Sequence, residues 1–282
     1  MFFHQFQKKP YIRFPDSRGY DEVYSAEDRD PFQAVRFFCR VSPMANFPPL
    51  KKYICFCLGH VIDQYKLTDP FLDVGCGRGD ISEYLGSLGW QGKAIDFSDT
   101  AIEEARSHLA GFQGIKVEKG SLGEAQGSFQ TVLLMDVLEH IEDDDAALKK
   151  IHALLSGGGH LVLSIPSNPP EWRWDDDCYG HFRRYSPEEI QRKLIATGFV
   201  PLATWDLTYP VFWFMRRCFT RLKSPMRLVQ TEKLIRGSLS SSVNAWESSY
   251  LSAFLSRDFL IWRLLYKIQF KYFRNRLRGG HE

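Results

Sequence analysis

The chain has 282 residues, 44% of them hydrophobic, and a formal net charge of +2. That length suits one domain with additions better than two equal domains, and the apolar content is enough for a sizeable core. No run of about 18 uncharged apolar residues is present, which argues against a transmembrane helix. The start, Met1-Phe2-Phe3-His4-Gln5-Phe6, lacks the basic-then-apolar pattern of a secretory signal.

Six cysteines, at 39, 55, 57, 76, 178 and 218, are scattered without a C-x-x-C pair. They read as free thiols, and the expected location is the reducing cytoplasm. The small net charge hides an asymmetry. From Leu207 onward, 14 lysines and arginines stand against 4 acidic residues, whereas residues 1–206 hold 22 basic and 30 acidic ones.

Residues 1–48 are rich in aromatics, charges and prolines, with a predicted helix from Pro31 to Val41. This segment either covers a site mouth, where Tyr20 or Tyr24 could stack on a ligand, or is a packed N-terminal extension, and the second reading is favoured. Apolar periodicity from Leu50 to Tyr65 predicts a helix lying on a sheet. Phe71-Leu72-Asp73-Val74 reads as a short strand, followed by a glycine-rich turn and an amphipathic helix from Ile81 to Leu88. Strands are predicted over Gly92 to Phe97, Gly114 to Lys119 and Thr131 to Met135, the last a continuous apolar run suited to burial on both faces. A helix from Thr100 to Ala110 separates the first two. Asp144 to Leu155 is expected as a helix closed by Gly157-Gly158-Gly159, with a fifth strand from His160 to Ile165. Ser186 caps a helix running to Ala196, with Pro187 at its first position and Glu189 completing a capping box. Val200 to Thr208 is the sixth strand. Such alternation predicts an α/β fold, a doubly wound and mostly parallel sheet with helices on both faces. The organisation expected is a segment over 1–48, a binding domain over 49–208 and a basic, aromatic, helical extension over 209–282. Residues 168–186 form an insertion in the binding domain.

Three motifs carry the chemistry. The glycines at 75, 77 and 79 form G-x-G-x-G, because Asp80 occupies the place where a dinucleotide fingerprint needs its third glycine. Alternate glycines let the backbone turn sharply and let a ligand approach without meeting a Cβ. A loop at a strand's carboxyl end, opening a helix, is where open α/β sheets hold nucleotide-like ligands. Asp96 follows Gly75 by 21 residues, near the interval at which an acid accepts bonds from ribose hydroxyls. A carboxylate presents only acceptors, which suits two vicinal hydroxyls, and Phe97 could lie against an adenine face. The third motif, Met135-Asp136-Val137-Leu138-Glu139-His140-Ile141, follows the fourth strand and so overhangs the same crevice. Ser121 and Leu122, after the third strand, complete the adenine pocket.

In combination, Asp73 to Gly79, Asp96 and Asp136-Val137-Leu138-Glu139-His140 resemble motifs I to III of the class I S-adenosylmethionine-dependent methyltransferases. Leu154-Leu155-Ser156-Gly157-Gly158-Gly159-His160-Leu161 is similar to the segment that follows in that family. Tyr179-Gly180-His181-Phe182-Arg183-Arg184-Tyr185-Ser186 resembles a G-H-x-R-x-Y-S element of one bacterial branch. The resemblance covers roughly residues 50–208 and is specific in combination. It implies a Rossmann-like sheet, S-adenosylmethionine as donor and no covalent enzyme intermediate. The cofactor contacts it implies are Asp73, Gly75, Cys76, Gly77, Asp96, Phe97, Ser121, Leu122, Met135, Asp136 and Val137. The insertion is where the family recognises acceptors, which makes Arg183, Arg184 and Tyr185 the candidate substrate contacts. Arginine there suits a carboxylate or phosphate, and pairing of Arg183 with the adjacent acidic run is the alternative.

Methyl transfer of this kind is an in-line displacement in which the protein contributes mainly alignment and desolvation. A hydroxyl acceptor must also lose its proton, so a base matters. His140 is the first candidate and His181 the second, since histidine accepts protons near neutral pH. In the ubiquinone-pathway and small-RNA branches a similar E-x-x-E-H run helps to bind a divalent cation. Asp136, Glu139, His140 and His181 could do the same here, but Asp136 is expected to engage the cofactor, and no metal is expected.

Two function classes follow. One is a methyltransferase acting on a hydroxyl of a small-molecule or lipid-linked acceptor. The other is a methyltransferase-like binding module docked to a membrane or protein partner by its tail. The intact Asp73, glycine loop and Asp96 favour the enzyme, and without an RNA-binding pattern no nucleic-acid partner is expected. Beyond Thr208 the antiparallel seventh strand of the family is not evident, and Arg227 to Ile235 is a poor candidate for it. From Leu251 to Leu277, Arg263, Lys267, Lys271, Arg274 and Arg278 fall within a helical stripe of roughly 80° beside a broad apolar face. Val211 to Leu222 repeats this chemistry in miniature. Such a face either packs on the protein's own sheet or lies in a membrane interface, with cationic side chains reaching the headgroups. The expectation drawn is peripheral attachment to the inner face of an anionic membrane.

Overall fold

A computed structural model describes residues 2–8, 49–222 and 259–275. At its centre is β2 (Phe71–Val74), buried along its whole length and flanked in parallel by β3 (Gly92–Asp96) and β5 (Phe129–Met135). β4 (Ile115–Lys119) extends the sheet beyond β3, and β6 (Leu155–Ile165) extends it beyond β5, both in parallel. With β1 (Phe2–Lys8) and β7 (Phe199–Asp206) the seven-stranded order is β4-β3-β2-β5-β6-β1-β7. β1 runs antiparallel to both β6 and β7, so β7 points the same way as the five core strands. The sheet is Rossmann-like and mostly parallel.

Two apolar layers cover its faces, and successive strand residues alternate between them as the pleat requires. Phe71, Leu133 and Val162 join a layer with Tyr53, Leu85 and Phe212, while Leu72, Val132, Leu134, Leu161 and Leu163 join the layer of Leu148, Ile151 and Leu194. The helices around the sheet are α1 (Pro49–Tyr65), α2 (Asp80–Ser87), α3 (Asp99–His108), α4 (Asp144–Leu154), α5 (Trp174–Tyr179), α6 (Pro187–Ala196), α7 (Val211–Leu222) and α8 (Phe259–Phe273), and all but α5 supply these layers. Caps fix where three of them begin. The side chains of Ser98, Asp143 and Ser186 accept bonds from the backbone amides of Ala101, Ala146 and Glu189, satisfying first-turn donors. No helix among the described residues is long and apolar enough to cross a membrane.

Three expectations change. The antiparallel strand absent after Thr208 is β1, so Phe2–Lys8 belongs to the sheet and not to a segment over the site mouth. The pairing of β1 with β7 shifts register between Gln5 and Phe6, which face Ala203 and Pro201, so Leu202 is the extra residue of a bulge on β7. The rest of the expected cover, with Tyr20, Tyr24 and the Pro31 to Val41 helix, lies outside the described residues, as does Arg227 to Ile235. Second, Gly157-Gly158-Gly159 lies inside β6 instead of closing α4, because Leu155 is already extended at φ −79° and ψ 135°. A Cβ on Gly159 would sit 3.1 Å from the carbonyl oxygens of Phe129, Gln130 and Ser156, so close strand approach demands the glycine. Third, α8 is divided between core and surface. Trp262 stacks on Phe212 with ring centres 5.8 Å apart, the Tyr266 hydroxyl donates to the Pro49 carbonyl at 2.7 Å, and the Gln269 amide donates to the Leu207 carbonyl.

Candidate active site

The loop after β2 turns through Gly75, Gly77 and Gly79 at φ +67°, +55° and +90°, the left-handed region that glycine enters without strain. A Cβ on Gly75 would lie 2.5 Å from Val137 Cγ2. The loop is therefore pressed against the segment after β5, and only glycine fits there. Asp96, at the end of β3, fastens the loop from the other side. Its Oδ2 accepts from the Gly77 amide at 3.0 Å, and its Oδ1 accepts from the Ser98 amide at 2.9 Å. Both oxygens are acceptors only, the chemistry that vicinal hydroxyls require. Asp73, one strand over, is buried beneath the loop and accepts from the Ser82 hydroxyl at 2.7 Å. Burial pushes its pKa up to about 6, against the smaller opposing effect of Ser82.

Above the loop is a cavity of about 550 Å³. Of the residues expected at the site, Gly75, Asp96, Phe97, Ser121, Leu122, Asp136, Val137 and His140 line it. Asp136 adopts φ +58°, and its Oδ1 accepts from the Ser164 hydroxyl at 2.7 Å, which aims the turn after β5. Asp73, Cys76, Gly77 and Met135 lie behind this lining. Met135 packs in the core, and the Cys76 thiol points to the Gly77 carbonyl at 3.5 Å. The wall also includes Asp143, Ala146, Ala147 and Lys150, residues the sequence motifs did not place at the site. Their spacing of three, four and seven from Asp143 is one face of α4, so helical periodicity counted from the capping Asp143 could have found them.

At the far end the chain makes a short 3₁₀ turn, Leu138–His140, and meets the insertion. The Phe182 amide donates to the Glu139 carbonyl at 2.8 Å. The rings of His140 and His181 lie 4.8 Å apart, edge to face at 73°. Burial, and then the charge of His181, push the His140 pKa down to about 4, partly offset by a bond from its ring to the Gly180 carbonyl. His140 is therefore a neutral imidazole near pH 7, with one nitrogen left as an acceptor. The His181 Nδ1 lies 2.9 Å from Asp176 Oδ1. Burial would raise Asp176, but His181 and the Arg184 and Arg216 guanidiniums hold it well below the usual carboxylate range. Glu139 is raised by burial and by Asp136, and its Oε2 has no hydrogen-bond partner. Glu139, His140 and His181 bring one ligand-type atom each to within 4.8 Å of one another, a set that could hold a divalent cation.

Arg183, Arg184 and Tyr185 are placed elsewhere. Arg183 pairs with Asp144 at 3.0 Å and donates to the Glu142 carbonyl. Arg184 pairs with Asp176 and donates to the Ser167 carbonyl, both at 2.8 Å. The buried Tyr185 hydroxyl donates to Asp144 at 3.0 Å. None of the three lines the cavity. Acidic side chains on α4 and α5 capture them, and they lock the insertion to the domain.

Over residues 50–204 the chain matches the methyltransferase-domain family. It belongs to that family. Its class is the S-adenosylmethionine-dependent one, and the site fits this donor: Asp96 offers paired acceptors, Phe97, Leu122, Val137 and Ile141 form an apolar slot, and the Gly75 contact leaves no space for a Cβ. Among its relatives is a ubiquinone biosynthesis O-methyltransferase of Xanthomonas euvesicatoria pv. vesicatoria, 38% identical over 105 residues, a match covering 35% of this chain and 44% of that protein. The chain thus spans less than half the length of that relative. The protein of the same name from Sinorhizobium medicae is 28% identical over 187 residues, covering 55% of this chain and 75% of that one. Similar solved structures include magnesium protoporphyrin IX methyltransferase from Synechocystis PCC 6803 with bound SAH, at TM-score 0.43 and 19% identity, covering 53% of this chain and 73% of that one.

Proposed function

We propose that the chain transfers a methyl group from S-adenosylmethionine to a hydroxyl of a small-molecule acceptor. The observation that carries this reading is that the donor cavity is lined by His140, a half-buried imidazole packed edge to face against a second histidine. When bound, S-adenosylmethionine supplies an activated methyl group on a sulfonium. The glycine loop and Asp96 bind and orient, and the apolar slot excludes water. His140 can take the acceptor's proton at the nitrogen that does not face Gly180. His181, with Nδ1 held by Asp176, stands beside it as the alternative base. The names of the Xanthomonas and Sinorhizobium relatives favour oxygen over nitrogen as the acceptor atom.

We read the acceptor as lipid-linked and the enzyme as cytoplasmic, attached peripherally to the inner membrane face through its basic C-terminal segment. The charge asymmetry of the chain supports this. Incubation with labelled donor and parallel panels of soluble and lipid-linked hydroxyl compounds tests it. Label on an acceptor oxygen in the lipid panel is the expected result. S-adenosylhomocysteine binding with no transfer to either panel would favour the binding-module reading instead.

A further inference from the structure

Helix α8 already uses one face in the core, through Trp262, Tyr266 and Gln269, yet it carries a second apolar stripe. Leu264, Ile268 and Tyr272 are 60%, 40% and 59% exposed, recurring every fourth residue, and the exposed Lys267 and Lys271 lie between them. The spacing puts all five on one side of the helix. Helix α7 does the same on a smaller scale. Phe214, 62% exposed, lies within about 20° of the exposed Arg221 around the helix, while Phe212 is buried on the opposite side. Neither helix contains an acidic residue.

We infer that these stripes are the face on which the protein lies against an anionic bilayer. A helix that packs on its own domain needs one apolar face, and among the described residues α8 has another after that need is met. Cations alternating with apolar side chains match a surface whose headgroups are negative and whose interior is apolar, with Tyr272 suited to the boundary. A second copy of the chain fits less well, since a two-fold contact through this stripe would set lysines against lysines. The docking face is also wired to the acceptor side. Arg216 of α7 pairs with Asp175 at 2.6 Å and with Asp176 at 2.8 Å, and Asp176 holds His181. The Trp174 indole donates to the Thr220 carbonyl at 2.8 Å. Seating α7 in the interface therefore brings the insertion to the lipid. The inference deepens the lipid-linked reading and rests on it for the acceptor, but docking itself is measured without turnover.

The experiment is flotation of the full chain with vesicles of phosphatidylcholine alone or mixed with phosphatidylglycerol, at low and high salt. The wild type should float only with the anionic vesicles and sink at high salt. The double variant Lys267→Glu/Lys271→Glu should lose at least about tenfold in bound fraction, as should Ile268→Asp, with near-UV circular dichroism unchanged. Should the charge reversal disturb the fold, Lys267→Gln/Lys271→Gln gives the same readout. A wild type that stays at the bottom, folded variants that float as well as it does, or variants that instead abolish a dimer would overturn the inference. Flotation without S-adenosylhomocysteine binding would refute the donor site and leave the docking face standing.

Discussion

Asp73→Asn keeps the shape of a buried side chain and removes its charge. Burial raises the Asp73 carboxyl from 3.8 to about 6. The folded protein therefore holds this proton more tightly than the unfolded chain does. Stability from this group is complete below pH 3.8, declines as pH rises, and levels off above pH 6. Two pKa units correspond to about 3 kcal/mol, and asparagine does not titrate. The asparagine amide also replaces an acceptor-only oxygen by an N–H donor in a buried site, a pH-independent penalty of about 1–3 kcal/mol where that donor stays unpaired. The change in the stability gap with pH is thus the clean readout. Urea unfolding at intervals from pH 4 to 7 should show the gap moving toward the variant by most of about 3 kcal/mol, with m-values unchanged. A gap that stays flat across that window would refute the assignment of a raised pKa to Asp73. Donor affinity should move the other way, because a destabilising charge is retained where function needs it. S-adenosylhomocysteine should bind the variant more weakly in calorimetry.

Asp96→Ala should weaken S-adenosylhomocysteine by about 1–3 kcal/mol as the hydroxyls lose their acceptor, and unchanged affinity by calorimetry would sink that role. His140→Ala should lower turnover by roughly two to four powers of ten while leaving donor affinity nearly intact; an equal loss in both would make His140 a wall of the donor site only. Extensive dialysis against EDTA should leave turnover unchanged. If activity disappears and magnesium restores it, Glu139, His140 and His181 hold an ion.

The parallel part of the fold is readable because each motif sits where a strand runs out. Apolar runs such as Val132-Leu133-Leu134 have one use in a two-sided sheet, and glycines that must turn leave a spacing. The donor side of the site inherits that clarity. The acceptor side does not. Arg183 stands among many carboxylates, and nothing local tells it to choose Asp144 on α4 over the acids beside it. The triple glycine misleads for a related reason, since a glycine needed by a neighbouring strand looks the same as one that ends a helix. In α8 the sequence reveals an amphipathic stripe. Which aromatics then turn inward, Trp262 and Tyr266, depends on Phe212 and Tyr53, far away in the chain.

The position of β1 bears on how this chain is made. Phe2 pairs on one side with Ile165 and on the other with Asp206, so the strand is synthesised long before either partner exists. During translation β6 and β7 can emerge, but they have no edge to share until this early segment returns to lie between them. That closure spans the longest loops in the sheet and should be among the slowest events in its assembly. While it waits, two open strand edges are exposed to any other chain nearby. β7 also carries the attachment of α8, since the Asp206 amide donates to the Arg274 carbonyl at 2.7 Å. A nascent chain whose first strand is captured elsewhere would thus lose the register of the strand on which its basic helix is moored, even with the donor cavity fully formed.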